Sequence, residues 1–240
     1  MTSTEYEFSA KPTRNSFRYL LAVWRLIRND PSQQIKEAAI VQMGFSRSRL
    51  GRRFARWGEV VETLKADPQT AASMQEQKVF GPINIDKLRL LPEGTLGRVF
   101  AEHCLTAGID PNLVYVPPTN DVGWMLNHLY QTHDIWHVLT GWGTDLPGEV
   151  GVAAFYPAQF GAPPFFGYNV ALTFLNVVMR KADLEQVFEA FSVGYQTGQR
   201  AEPMFGMDWD DLWDVPIEEL RTRFKLDRTE IVGEGIRVAA

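Results

Sequence analysis

Residues 130–151 read YQTHDIWHVLTGWGTDLPGEVG, and this stretch decides how the rest of the chain is read. It holds two of the chain's four histidines, His133 and His137, with Asp134 next to the first and Glu149 after a turn-rich connection. An α-helix turns about 100° per residue, so His133 and His137 lie about 40° apart on one face. Asp134 falls about 100° from His133 and about 60° from His137, so the three side chains can converge on one point beside the helix. Asn120 or Asp121 can cap such a helix, and neither Pro nor Gly interrupts residues 124–140. Gly141, Gly143, Pro147 and Gly148 then break the chain. Pro147 suits the first turn of a second helix, which would carry Glu149 back toward the histidines. Two imidazoles and two carboxylates make a mixed nitrogen and oxygen set for one divalent cation. His133, Asp134, His137 and Glu149 are the expected ligands, suited to zinc, iron(II) or manganese and less readily to magnesium.

This differs from the H-E-x-x-H helix of metalloproteases, whose central Glu reaches past the metal to act as a base. Asp134 is one methylene shorter and directly follows the first His, so it is placed to bind metal or orient a ligand. The competing reading of any H-x-x-x-H pair is two ordinary helix residues with a solvated acid beside them.

Outward from this stretch the chain reads as helical scaffold. Helices are expected over residues 15–28 and 32–43. Over residues 47–66, Leu50, Phe54, Trp57, Val61 and Leu64 recur at helical spacing. Arg49, Arg52, Arg53 and Arg56 gather on the other side, as a solvated face or as a docking stripe for anionic lipid headgroups. Asp67-Pro68 opens a short helix to about Phe80, and residues 86–91 form a helical turn. Thr95 caps a helix that stops at Gly108. His103 on that helix reads as a hydrogen-bonded core residue. A helix from Pro147 to Phe160 and an apolar one ending near Lys181 follow. Asp183 caps another, with Leu184, Val187, Phe188, Phe191 and Tyr195 as its inner stripe. Two short acidic helices, around residues 208–213 and 216–224, close the fold. No long segment alternates like a strand and no repeat is visible. The expected architecture is all-α: a single-domain helical bundle over residues 1–240, with tails at 1–14 and 228–240 and a metal site between two consecutive helices. Phe155, Tyr156, Phe160, Phe165, Phe166, Phe174 and Leu175 either line an apolar channel or pack as core.

Composition bounds the function. A hydrophobic content of 45% and a charged content of 22% describe a globular chain, and a formal net charge of -5 argues against general nucleic-acid binding. Cys104 is the sole cysteine and forms no intrachain disulfide. The opening MTSTEYEFSA has neither the apolar core of a secretory signal nor the arginines of a transit peptide. The most lipid-like run, residues 165–179, is too short and too polar to span a bilayer. These features lead to the expectation of a cytoplasmic protein able to touch the inner face of the cell membrane.

The pattern H-D-x-x-H, eleven residues, then E, with His133, Asp134, His137 and Glu149 in its four places, resembles the signature of the fourth coenzyme Q (ubiquinone) biosynthesis protein family. LPEGTLGRVFAEHCLTAG at residues 91–108 and GYQTGQRAEPMFGMDWDDLWDVPIEELRTRF at residues 194–224 are similar to that family's flanking segments. The resemblance is strongest over residues 80–226. It implies a helical, metal-binding protein that acts on polyprenylated ring intermediates, removing the C1 carboxyl of a prenylated hydroxybenzoate in a step coupled to hydroxylation. It implies zinc as the metal, with magnesium and a prenyl phosphate as an alternative pair. It also implies a homodimer at a membrane surface, working beside other quinone-biosynthesis proteins. The mitochondrial members begin with a transit peptide, so this chain is expected to be a bacterial homologue. Where members place an Arg shortly before the motif, this chain has His128, Tyr130 and Gln131. Two further readings stand beside the decarboxylase: a non-catalytic prenyl-lipid scaffold with a structural metal, and a metal phosphohydrolase that would recruit His103 and Asp183.

Overall fold

The computed structural model describes residues 56–112, 118–161, 167, 170, 171, 174, 177, 178 and 183–226. The helices expected over 15–28 and 32–43, Arg49, Arg52, Arg53, Phe165, Phe166, Leu175 and both tails lie outside the described residues.

Among the described residues the protein is all-α, with eight α-helices and no β-strand beyond an isolated bridge between Thr95 and Pro216. In chain order they are α1 (Trp57–Lys65), α2 (Pro68–Gln75), α3 (Ile85–Leu88), α4 (Leu96–Ala107), α5 (Asp121–Thr140), α6 (Leu146–Gln159), α7 (Leu184–Arg200) and α8 (Ile217–Arg223). A 3-10 turn, Trp209–Leu212, precedes α8. No described helix is long and apolar enough to cross a membrane.

The starts follow local chemistry. The side chains of Asp67, Thr95, Asn120, Asp145 and Asp183 each accept a backbone N–H in the first turn of α2, α4, α5, α6 and α7. Such caps contribute about 1 kcal/mol each. Gly108 and Gly141 end α4 and α5 in the left-handed conformation that a side chain would oppose.

Helix α5 is the central element. It touches α1, α2, α4, α6 and α8, and Trp124, Ile135, Trp136 and Leu139 along it are wholly buried. A helix that is apolar on nearly every side belongs at the middle of a core. Its C-terminal carbonyls are closed from outside: Arg221 of α8 donates from Nε to Leu139 O (3.0 Å) and from Nη2 to Val138 O (3.1 Å). A guanidinium there satisfies orphan carbonyls and complements the helix dipole.

Helices α6 and α7 pack backbone to backbone. A Cβ on Gly194 would lie 2.2 Å from Gly151 O, and one on Gly198 would lie 2.7 Å from Phe155 O. Both pairings advance together, so the helices run in the same direction and the start of α7 overhangs the start of α6. This contact corrects the expected inner stripe of α7. Val187, Ala190, Val193, Gly194, Thr197 and Gly198 are buried, whereas Leu184 and Phe188 are exposed. The small residues win the inner face because only they allow so close an approach.

Two other boundaries differ from expectation. Arg56 is left-handed at φ 46°, so no helix runs through it and α1 begins at Trp57. Helix α2 stops at Gln75, and Gln77 takes φ 51°. The extended backbone beyond it lets the Lys78 carbonyl accept from Trp124 Nε1 at 2.6 Å and lets Phe80 stack on His128. Tertiary contacts to α5 override a sequence that would otherwise stay helical.

Candidate metal centre

Three of the four expected ligands come together. One ligand atom from each of His133, His137 and Glu149 lies within 4.8 Å of the others. The two histidines are one turn apart on α5, with Nε2 atoms 3.1 Å apart. Glu149, in the first turn of α6, faces both: Oε2 is 3.7 Å from His133 Nε2, and Oε1 is 3.6 Å from His137 Nε2. Two nitrogens on one tetrahedral zinc at the usual bond length sit about 3.3 Å apart. The observed spacings fit donors aimed at a shared cation. His137 is fully buried, while 31% of His133 and 35% of Glu149 remain exposed, so the cluster opens to solvent on one side.

The loop between the helices is built to hold this geometry. Gly148 permits Gly143 O to approach where a Cβ would lie 1.9 Å from it. Gly151 lets the Trp142 ring lie against α6, where a Cβ would be 2.4 Å from the indole. Trp142 is thereby fixed, and its carbonyl oxygen sits 3.1 Å from His137 Nδ1. A carbonyl only accepts, so Nδ1 carries the proton and His137 Nε2 presents a lone pair to the cluster. His133 Nδ1 lies 2.9 Å from Tyr156 Oη. With the His133 Nε2 lone pair facing the cluster, Nδ1–H donates to that oxygen. Partners of this kind orient ligating imidazoles.

Charge follows the same layout. Burial depresses the pKa of His133, but the Glu149 carboxylate outweighs burial and leaves it raised. For His137 burial prevails and the pKa is lowered. Burial pushes Glu149 up, and the two imidazoles more than reverse this and hold it ionised.

Asp134 is not part of the three-residue cluster. Its Oδ1 lies 3.8 Å from Nε2 of His103 on α4. Burial raises its pKa, while His103, His133 and His137 together bring it below the usual carboxylate value. Cys104, the neighbour of His103, has its thiol pushed up to about 12, chiefly by burial, and offers no thiolate ligand. Of the residues just before the motif, His128 lies in an aromatic box. It stacks on Trp124 and Phe80, meets the edge of Phe205, and accepts the Gly206 N–H at Nε2 (3.1 Å). Gln131 accepts from Asn127 within the same core. Phe155, Tyr156 and Phe160 pack on Trp136, with Phe205 against Phe160, which is the core reading of those aromatics.

Comparison with known proteins identifies the family. Residues 47–230 match the model of the family described as coenzyme Q (ubiquinone) biosynthesis protein Coq4. The chain belongs to that family. It is 27% identical over 168 residues to the mitochondrial ubiquinone biosynthesis protein COQ4 homolog of Rattus norvegicus, a match covering 67% of this chain and 62% of the rat protein. It is 25% identical over 166 residues to the mitochondrial COQ4 of Yarrowia lipolytica, covering 67% of this chain and 62% of the yeast protein. The chain thus spans less than two thirds of the length of these relatives. A crystal structure of a protein ascribed to ubiquinone biosynthesis in Nostoc punctiforme superposes with a TM-score of 0.71 at 26% identity, covering 89% of this chain and 99% of that one. The family is the one described by its part in ubiquinone biosynthesis.

Sequence reasoning missed Tyr156, the Trp142 carbonyl and His103 as neighbours of the cluster. Tyr156 was findable: it follows Glu149 by seven residues, which returns it to nearly the same face of α6. His103 comes from a separate helix, and no local spacing points to it.

Proposed function

We propose that the protein holds one divalent cation, zinc in the first instance with magnesium and iron(II) as alternatives, through His133, His137, Glu149 and Asp134. On this reading it removes the C1 carboxyl of a polyprenylated hydroxybenzoate ring in ubiquinone biosynthesis, a carbon–carbon lyase step coupled to hydroxylation at that carbon. The observation that carries the proposal is the convergence of the two Nε2 atoms and the Glu149 carboxylate, with the proton of His137 fixed on the far nitrogen by the Trp142 carbonyl. Membership of the Coq4 family supports the pathway.

When bound, the cation would supply Lewis-acid stabilisation of the negative charge that builds as carbon dioxide leaves. The residues do the rest. His133 and His137 bind as neutral imidazoles, each with its outer nitrogen protonated. Glu149 binds as a carboxylate already ionised in the fold. Tyr156 keeps its phenolic proton, because burial raises its pKa well above the ordinary value. Trp136, Tyr156 and Phe160 wall the inner side and exclude water. Bond cleavage leaves an electron pair on the ring carbon. Hydroxylation there is a two-electron oxidation for which the assay supplies dioxygen: the acid, dioxygen and water would give the phenol, carbon dioxide and hydrogen peroxide. The exposed side chains of Val178, Leu184 and Phe188 support an apolar contact surface, consistent with a homodimer at the inner face of a membrane beside other proteins of the pathway.

The test is decarboxylation of a prenylated hydroxybenzoate, labelled at the carboxyl carbon, by purified protein in air. Labelled carbon dioxide from metal-loaded protein, lost on chelation and restored by metal, is the expected result. Equal release with and without metal overturns the proposal. The competing reading is a prenyl-lipid scaffold, in which Asp134 would complete a four-ligand, closed zinc site. It predicts bound metal and co-purifying prenyl lipid with no release.

A further inference from the structure

Each imidazole at the centre has its outer nitrogen held by a group from another element. His133 is held by Tyr156 of α6, and His137 by the Trp142 carbonyl in the loop. Asp134 has a counterpart too. His103, projecting from α4, lies with its ring parallel to that of His137, centroids 6.0 Å apart and planes 22° apart. Its Nε2 is buried and makes no hydrogen bond among the described residues, and Asp134 Oδ1 lies 3.8 Å away.

A buried ring nitrogen left without a partner is costly, and native folds rarely keep one without a reason. Packing alone would be served by Phe or Leu at this position, since the flanking helix face is apolar: Phe100, Ala101 and Cys104 are all buried. The gap to Asp134 is less than 1 Å beyond a hydrogen bond of ordinary length. A small rotation of the aspartate side chain closes it.

We infer that His103 is a positioning residue of the centre: its Nε2–H holds one oxygen of Asp134, so that the other oxygen is presented to the cation bound by His133, His137 and Glu149. The inference rests on the metal-binding reading above. Asp134, the carboxylate not yet gathered with the other three, is then brought in by α4, a helix that supplies no ligand itself. The residue pair joins α4 to α5 at the site, so the upstream helix contributes to metal affinity without touching the metal.

The experiment uses full-length protein stripped of metal and titrated with Zn²⁺ against a chromophoric chelator, and with Co²⁺ to read the coordination shell by its absorption spectrum. Wild-type protein binds one equivalent. His103→Phe, which fills the ring volume without a donor, weakens Zn²⁺ binding about tenfold or more and changes the Co²⁺ spectrum. His103→Gln, which keeps a donor, restores most of the affinity. In an Asp134→Asn background His103→Phe adds no further loss. A His103→Phe protein with wild-type affinity and spectrum overturns the inference, as does a loss that persists undiminished beside Asp134→Asn. Should His103→Phe not fold, nitrogen-15 NMR of the histidine rings in wild-type protein decides. A protected Nε2–H on His103 in the Zn²⁺-loaded state supports the inference, and an unprotonated Nε2 sinks it. Failure of wild-type protein to bind Zn²⁺ or Co²⁺ at all removes the metal reading as well, and is seen before any variant is made.

Discussion

Helix α5 carries histidines in two different settings a little over one turn apart. At His128 the neighbours are Trp124, Phe80 and Phe205, and among the described residues no carboxylate is in contact with the ring and its polar partner is a backbone N–H. Burial alone drives its pKa down to about 3. At His133 and His137 burial acts in the same direction, but Glu149 returns across the loop and opposes it. The first setting makes a histidine into a neutral aromatic plate with one acceptor. The second makes two histidines into a pair of aimed donors. What separates them is the acid at hand, Glu149 delivered by the next helix and Asp134 beside the pair, together with the opening to solvent at His133.

The largest effect expected from breaking this contrast is at the second setting. His137→Ala should lower Zn²⁺ affinity by about a thousandfold, roughly 4 kcal/mol, because it removes a buried donor whose proton is pinned away from the cluster. Isothermal titration with chelator competition measures it. His128→Asn should leave that affinity within about threefold, and an equal loss in both variants would erase the distinction between the two settings.

The next effect is on folding. His128→Asn should cost about 3 kcal/mol in urea denaturation, since it empties a stacked site and disturbs the acceptor for Gly206 N–H. The wild-type protein should also show a specific acid dependence. His128 has a folded pKa near 3, against an ordinary value of 6.5. The unfolded chain therefore binds the extra proton in that interval, and stability rises with pH there. The contribution is complete above about pH 6.5 and is lost as pH falls toward about 3, at up to about 1.4 kcal/mol per pH unit. Metal-free protein followed by urea midpoint against pH reads this slope, and His128→Asn should flatten it. A slope unchanged in the variant would assign the acid sensitivity elsewhere.

The smallest effect sharpens the second setting. Tyr156→Phe removes the oxygen that faces His133 Nδ1 and should weaken Zn²⁺ binding about tenfold while shifting stability by about 1 kcal/mol or less. A loss as large as that of His137→Ala would make Tyr156 a ligand rather than an orienting partner.

Much of this was readable from the residues. Asp67, Thr95, Asn120 and Asp183 cap helices because short polar side chains reach the first-turn amides, and that chemistry is local. His133, His137 and Glu149 were legible for the same reason: one turn of helix and one tight loop fix their relation. The inner face of α7 was not. Its hydrophobic spacing pointed to Leu184 and Phe188, but the contact with α6 depends on what opposes it, and glycine carries no hydropathy signal strong enough to declare a helix crossing. The left-handed Arg56 and the early end of α2 are likewise set by partners distant in sequence. Asp134 illustrates both sides, since its place on α5 follows from helical spacing while its neighbour His103 is supplied by a different helix.

Because glycines and backbone form the joint between α6 and α7, no cushion of side chains is available to absorb a displacement of one against the other. By that register the first five residues of α7, Leu184 to Phe188, project past the end of α6 that carries Glu149, like the arm of a lever clamped beside its load. A side chain added at Gly151 or Gly194 would therefore displace that arm together with Leu184 and Phe188 at its exposed tip.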